Sequence, residues 1–361
     1  MGIQDKEQEK NLCPSDFMSY TRTPLSAIDS AGSGDDNAQS PIIDPLLDDE
    51  FLLELCDTVR AYIRVRKLGP RWEGAMGFLA AALRDESDGT PVIELGTIQY
   101  AYLDKLLDDI VNIGRRASQE TRLYEDTKRA ENLQRQWRRR FGEDYFALDE
   151  NRYRALPKVG RMKDMALDLE SNDIYERWKA RGCETLSELE GNLEFEPGRW
   201  WLTLACAHRD GIVGSARETL TTSKYGVHVL PLLTGSEYMV PKSETIKYVR
   251  AGKISDIHVS LVNKPGQTFR ILRGDRLQSP LAPAFGVRYD GLYKMKQYGQ
   301  RFNPNTEQHH MVLTLERVRG QRPIEDLLHI PRPSEVDDWA LFEKYECEMV
   351  KREQGYQGFL H

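Results

Sequence analysis

Four arginines between residues 270 and 288, Arg270, Arg273, Arg276 and Arg288, carry the first chemistry the sequence offers. A guanidinium can hold a phosphate, which asks for charge and little geometry; a solvated surface explains the same residues equally well. Arg138-Arg139-Arg140 closes a highly charged helical stretch. There three cations complement the helix dipole, and they could also touch phosphates or belong to a nuclear-import signal. The pair His309-His310 has no acid or cysteine at ligand spacing, so it offers no metal site by itself. Enzyme signatures are missing: there is no Gly-x-Ser-x-Gly, no P-loop and no His-Glu-x-x-His, and Asp88 and Glu94 lack the following lysine of a nuclease centre. A non-enzymatic protein without catalytic residues, metal or cofactor is expected.

Charge is divided unevenly along the 361 residues, whose formal total is −7. Residues 1–60 hold 13 Asp/Glu against 4 Lys/Arg, whereas residues 199–330 hold 19 Lys/Arg against 11 Asp/Glu. A basic module behind an acidic arm suits a binder of a polyanion, although ordinary solvated surface would also account for the basic residues. The cysteines Cys13, Cys56, Cys183, Cys206 and Cys347 are widely separated, so neither a zinc site nor a disulfide framework is indicated. No apolar run is long enough for a membrane span, and Met1 to Glu7 lacks a signal core. The expectation is an intracellular chain without a membrane partner.

The elements that must position these residues fall into two kinds. Residues 1–45 are rich in Ser, Asp, Gly and Pro and read as a disordered acidic arm. Residues 46–196 read as helical. Phe51, Leu52, Leu55, Val59 and Ile63 form one stripe, ended by Gly69-Pro70, and residues 71–84 make a second helix. From Thr97, the positions Ile98, Tyr102, Leu106, Ile110 and Ile113 predict one continuous third helix. Ser118 to Phe141 predicts a fourth, supported by Glu125–Arg129 and Glu131–Arg135, and Thr185-Leu186-Ser187-Glu188 has capping-box spacing. Beyond Arg199, alternation recurs in Trp200 to Leu204, Val227/Val229, Ile257/Val259/Leu261, Phe269/Ile271, Tyr293/Met295 and Met311/Leu313/Leu315. Short alternating segments between Gly- and Pro-containing turns predict a curved sheet or barrel with one face buried. Residues 331–361 add a last helix, capped near Ser334-Glu335, that docks on the barrel or the bundle through Trp339, Leu341, Phe342 and Tyr345. The fold class is α+β, a helical part followed by a twisted β-barrel.

The run Phe269-Arg270-Ile271-Leu272-Arg273-Gly274, then Gly286-Val287-Arg288-Tyr289-Asp290-Gly291-Leu292-Tyr293, then Leu315-Glu316-Arg317-Val318-Arg319-Gly320-Gln321-Arg322-Pro323-Ile324, resembles the SRA-YDG domain, in its fungal branch. The resemblance covers residues 197–330. It implies a nuclear, chromatin-associated protein that binds double-stranded DNA and recognises methylated cytosine by flipping the base between aromatic faces, with an acid at its Watson–Crick edge.

Carried over by that resemblance, a first DNA-entering loop falls on His208-Arg209-Asp210-Gly211-Ile212-Val213-Gly214-Ser215. The second pocket run falls on Thr234-Gly235-Ser236-Glu237-Tyr238-Met239 and the third on Ile246-Lys247-Tyr248-Val249-Arg250-Ala251-Gly252. Gly235 and Tyr248 match cleanly, the stacking tyrosine falls on Ser236 or slides to Tyr238, and Glu237 is the nearest acid to the family's aspartate. The groove-filling finger is short, with Asn263-Lys264 left to serve. DNA and base contacts are therefore expected from His208, Arg209, Gly211, Gly235, Glu237, Tyr238 and Tyr248, with Arg273 and Arg288 on phosphates. The rival reading keeps the scaffold as a protein-interaction module whose base pocket is degenerate.

Overall fold

The computed structural model describes residues 48–116, 121–168, 171, 176–181, 195–222, 228–240, 245–252, 268–304 and 307–355. The acidic arm, the capping box at Thr185, the strand Ile257 to Leu261 and the Asn263-Lys264 segment lie outside them.

Helix α1 (Asp49–Arg64) starts where Asp48 accepts a hydrogen bond from Glu50 N, and it buries Leu52, Leu55, Cys56 and Val59. Helix α2 (Trp72–Asp88) ends at Gly89. The single helix expected from Thr97 is two, α3 (Leu95–Tyr100) and α4 (Leu103–Arg116). The break is at Tyr102, whose φ of 55° no helix accepts. Tertiary contacts hold it there: the Arg152 guanidinium lies 4.3 Å from its ring centre and its hydroxyl donates to Asp338 at 2.6 Å.

Helices α5 (Thr121–Phe141), α6 (Glu143–Phe146) and α7 (Leu148–Ala155) complete the helical part. Glu125 pairs with Arg129 at 3.6 Å, while Glu131 takes Lys128 at 3.1 Å. Their shared core includes Leu79, Ile98, Leu107, Ile110, Leu133 and Trp137. Each such side chain withdrawn from water contributes about 1.5–3 kcal/mol, which offsets the entropy of ordering short helices that would not persist alone.

Strands β1 (Met165–Leu167) and β2 (Trp178–Ala180) form a small antiparallel pair. The strand expected from Trp200 to Leu204 shrinks to β3 (Trp200–Trp201), because the Thr203 hydroxyl accepts from Cys206 N and starts helix α8 (Leu204–Arg209). The remaining strands are β4 (Thr221–Thr222), β5 (His228–Leu232), β6 (Ser236–Met239), β7 (Thr245–Ala251), β8 (Thr268–Gly274), β9 (Val287–Asn303) and β10 (Gln308–Arg317). Their order is β4-β5-β8-β9-β10-β7-β6, with β3 paired to β9; β5 and β8 run parallel and the other neighbours antiparallel. The far edge returns to the loop after β8, since Glu237 N donates to Gln278 O and Gln278 N to Gly235 O, each at 3.0 Å. The sheet thus curls into the twisted barrel that the alternation predicts, and the protein is α+β.

Strands β5 and β8 are buried on both faces. Inside the barrel lie Leu230, Leu232, Phe269, Ile271, Tyr293, Leu313 and Leu315. Outside it, Val229, Leu272, Val287 and Tyr289 pack with Trp200, Trp201 and Phe342. Helix α9 (Ile324–Leu327) leads to α10 (Pro333–Gln354), which joins the two parts. Asp57 of α1 accepts from both the backbone N–H and the hydroxyl of Ser334 at 2.7 Å, and Arg60 reaches Asp337 at 2.8 Å. Ser334 therefore bonds Asp57, and the first turn of α10 is closed by Glu335, whose carboxylate accepts from Arg332 N at 2.7 Å. Among the described residues, no helix is long and apolar enough to cross a membrane.

Four charges lie in the barrel wall and centre. Arg273 donates from Nε and Nη2 to Glu237, and from Nη1 to Asp290 at 2.6 Å. Arg288 meets both oxygens of Asp290, at 2.5 and 2.9 Å, and reaches the carbonyls of Leu281, Leu327 and Ile330. Both arginines and Asp290 are fully buried. Burial alone would lower the Arg273 pKa, but Glu237, Tyr293 and Asp290 hold it well above the ordinary range. Two cations and two carboxylates make the group neutral, which is the condition under which charge survives in a dry interior.

Beside it, Gly291 has φ 99°, and a Cβ there would fall 2.4 Å from Gln321 Oε1. That amide accepts from Leu292 N and donates to the carbonyls of Leu292 and Val318. It pins the end of β10 to β9.

Asp290→Ala leaves two guanidinium groups without their shared carboxylate, and a loss of about 3–5 kcal/mol is expected from urea unfolding. Glu237→Ala should also destabilise, by less, because Arg273 keeps Asp290. An Asp290→Ala midpoint equal to wild type would show that the cluster does not hold the barrel.

Candidate nucleic-acid interface

Alternation along the curled sheet decides which candidates can meet a ligand. Glu237 lies opposite Tyr248 and Met239 opposite Ile246 across β6 and β7, while the intervening pair is Tyr238 and Lys247. Opposite residues share a face, so Glu237 and Tyr248 point inward together and Tyr238 and Lys247 outward. Continuing outward, Lys247 is level with Thr314 of β10 and Gln297 of β9, and the next row carries Glu316 opposite Lys294. Arg301, opposite His310, extends the same face. Lys247, Lys294, Lys296 and Arg301 are all exposed, and Lys296 pairs with Glu316 at 2.6 Å. Tyr238 is 58% exposed beside them. The arrangement is an aromatic ring at the edge of a face where four cations meet one carboxylate.

The inward pair departs from the expected roles. Glu237 is buried, both its oxygens are engaged by Arg273, and one also accepts from Ser279 Oγ at 2.5 Å. It is not placed as a free acceptor for a base edge, because a carboxylate satisfied by a buried guanidinium would have to leave it unpaired to bond anything else. Tyr248 is 1% exposed within the barrel core, so its ring offers no open stacking face. Its hydroxyl donates to Thr234 O at 2.9 Å, and burial, reinforced by Glu218, raises its pKa and keeps it protonated.

Arg273 and Arg288, expected on phosphates, have no accessible surface and bond carboxylates and carbonyls inside the protein. The correction has a plain cause: both sit on stretches covered on both sides, residues 269–274 of β8 and 287–291 of β9, where the pleat offers neither one a route to solvent. Of the other strand arginines, Arg270 is also buried.

Glu218 is a site residue that the sequence did not disclose. One oxygen accepts from Leu233 N at 2.7 Å and Thr234 N at 2.9 Å; the other accepts from Thr234 Oγ1 at 2.7 Å and pairs with Arg250 at 3.3 Å. The donors of the Thr234–Gly235 turn are thereby turned to one internal carboxylate. Gly235 itself, at φ 88°, could not carry a side chain, since a Cβ would lie 2.6 Å from Val249 O. No local pattern marks Glu218, because its partners lie at least 15 residues away.

The first-loop candidates occupy the end of α8 rather than a free loop. His208 is half-buried, and burial lowers its pKa against a hydrogen bond with Gly214 that raises it. Arg209 donates to the carbonyls of Arg161 and Lys163 at 2.8 Å and to Asp210 at 2.8 Å. Gly211 follows the helix with φ 80°. His208 and Arg209 belong to α8, and neither they nor Gly211 lie on β6 or β7, which carry Tyr238 and Lys247. His309 packs on Phe302 at 5.2 Å, and among the described residues no group of three or more His, Cys, Asp or Glu is placed to hold a metal ion.

No family model and no curated protein matches the chain. Among solved structures, the SUVH5 SRA domain in complex with hemi-methylated CG DNA is similar over 37% of this chain and 95% of its own, at 17% identity and a TM-score of 0.29. The modification-dependent TagI restriction endonuclease is similar over 40% of this chain and 55% of its own, at 16% identity and a TM-score of 0.29. Arabidopsis thaliana SUVH6 in complex with SAM is similar over 52% of this chain and 35% of its own, at 17% identity and a TM-score of 0.30. The chain therefore spans about half or less of the length of two of these three proteins, and its likeness to them is a distant one.

Proposed function

We propose that this chain is a non-enzymatic, nuclear, chromatin-associated protein that binds double-stranded DNA through the outward face of β7, β9 and β10, with Tyr238 as the aromatic contact. The observation that carries this reading is the separation of charge. Arg273 and Arg288 are neutralised internally by Glu237 and Asp290, so the excess of 19 Lys/Arg over 11 Asp/Glu in residues 199–330 is carried outside that cluster. A lysine and an exposed ring side by side suit a phosphate next to a base or sugar surface. The resemblance of the Arg-Tyr-Asp-Gly run supports DNA as the polyanion. A preference for methylated cytosine, which that resemblance implies, would act through Tyr238 and the Thr234–Gly235 turn once Glu218 vacates it, and not through Glu237.

The rival reading, a protein-interaction module on the same scaffold, is favoured by the capture of Glu237 and Tyr248 in the core. The two diverge in one assay, equilibrium binding to methylated and unmodified duplexes of one sequence across a salt series. The proposal expects affinity to fall as salt rises, and Lys247→Ala to weaken both duplexes alike and reduce the log–log slope by about 0.9. Tyr238→Ala should cost roughly ten-fold on the methylated duplex and less on the unmodified one, the loss of about one stacking contact. Salt-insensitive or undetectable binding to both duplexes would leave the interaction module as the reading.

A further inference from the structure

The outward face of β7, β10 and β9 ends in a corner. The last β7 residue in register is Ala251, level with His310, and the β8 pairing stops at Thr268, level with Lys294. Among the described residues, only β9 and β10 pair beyond that point, as Phe302 with His309 and Asn303 with Gln308. Past Lys294, no described strand flanks the other side of β9.

Alternation sorts the outward side chains of this corner into rows. Lys247 is level with Gln297, and His310 is level with Arg301 four residues further along β9. Between these polar rows lies a low one, Val249, Val312 and Gly299. Gly299 answers no need of the protein itself: a Cβ there would meet nothing within 4 Å, and its φ is not positive. Glycine weakens a strand, so its use where a side chain would fit points to something that comes close to the face from outside.

The cations of the face differ in kind. Three are lysines, compact charges that serve a phosphate from many directions, and one is an arginine. Arg301 is exposed, and no carboxylate among the described residues lies within ion-pair distance of it, neither Glu316, which Lys296 takes at 2.6 Å, nor Glu307 of the closing turn. Its guanidinium is a rigid fork, and that fork matches the O6 and N7 acceptors that guanine shows in the major groove.

We propose that this corner enters the major groove of the duplex and that Arg301 reads guanine there. The inference rests on the DNA-binding reading and adds a base preference to it. The major groove is about 12 Å wide and admits a two-stranded ribbon, whereas the minor groove is about 6 Å wide. Lys247, Lys294 and Lys296 follow the phosphates beside the groove, while the low row at Gly299 lets base edges approach until the fork meets both acceptors of one base. No base has to leave the stack.

The test is equilibrium binding of the full chain, at one fixed salt concentration, to three unmethylated duplexes of one sequence. One is natural; in the second every guanine is replaced by 7-deazaguanine, which lacks N7; in the third every guanine is replaced by hypoxanthine, which keeps N7 and O6 and lacks the minor-groove amine. The 7-deazaguanine duplex should bind roughly ten-fold more weakly and the hypoxanthine duplex like the natural one. Arg301→Ala should bind the natural duplex roughly ten-fold more weakly and lose the discrimination. Arg301→Lys keeps the charge without the fork, so it should recover part of the affinity and none of the discrimination. Gly299→Thr, a strand-favouring side chain in open space, should melt no lower than wild type and also lose the discrimination. Equal binding of wild type to the natural and 7-deazaguanine duplexes, weakening by hypoxanthine alone, or full discrimination by Arg301→Lys or Gly299→Thr would overturn the guanine reading and leave DNA binding standing. Salt-insensitive or absent binding to every duplex would remove the DNA-binding reading itself, and this inference with it.

Discussion

The barrel is organised around a carboxylate shared between two buried guanidinium groups. Asp290 lies on the central strand, takes Arg288 two residues away on its own strand and Arg273 on the neighbouring one, and Arg273 in turn captures Glu237 on the far edge. Four residues from three strands are thereby fixed relative to one another by directional, charge-assisted bonds that no slipped register could reproduce. Arg288 extends this to the carbonyls of Leu281, Leu327 and Ile330, tying the loop after β8 and the segment before α10 to the same point. The cost of desolvating four charges is large, and only complete mutual pairing makes the arrangement tolerable.

That constraint decides what can be functional. A guanidinium that is neutralised and closed off has nothing to give a phosphate, so the motif that makes the chain resemble a DNA-binding family acts here as architecture. The exposed groups lie outside that cluster, Tyr238 with Lys247, Lys294 and Lys296 on the outer face of the sheet. Glu218 adds a second element, since its carboxylate occupies the donors of the Thr234–Gly235 turn and any ligand for that turn must displace it. The helical part is bound into the same body through Asp57, Arg60 and Tyr102, all of which engage the first turns of α10.

Much of the fold was legible from local pattern. Alternation at Phe269/Ile271 and Met311/Leu313/Leu315 marks interior faces of β8 and β10. The helix break at Tyr102 was not legible: neither Gly nor Pro marks it, and its cause is a hydroxyl bond to Asp338, 236 residues away. The site was harder still. An acid at position 237 looks the same in sequence whether it faces a base or Arg273, and the pairing partner 36 residues on leaves no spacing signal. Arg273 and Arg288 read as cationic surface because periodicity cannot separate a strand buried on two faces from one buried on one.

The central claim is that the barrel's motif arginines are structural and its outer face meets DNA. Nitrogen-detected NMR of arginine side chains, recorded for the free protein and with added duplex, tests it directly. The account predicts that the Nε–H groups of Arg273 and Arg288 exchange slowly with solvent and keep their shifts when duplex is added, while backbone signals of Tyr238 and Lys247 move. Rapid exchange at Arg273 or Arg288, or a duplex-induced shift there without change at Tyr238 and Lys247, would contradict it.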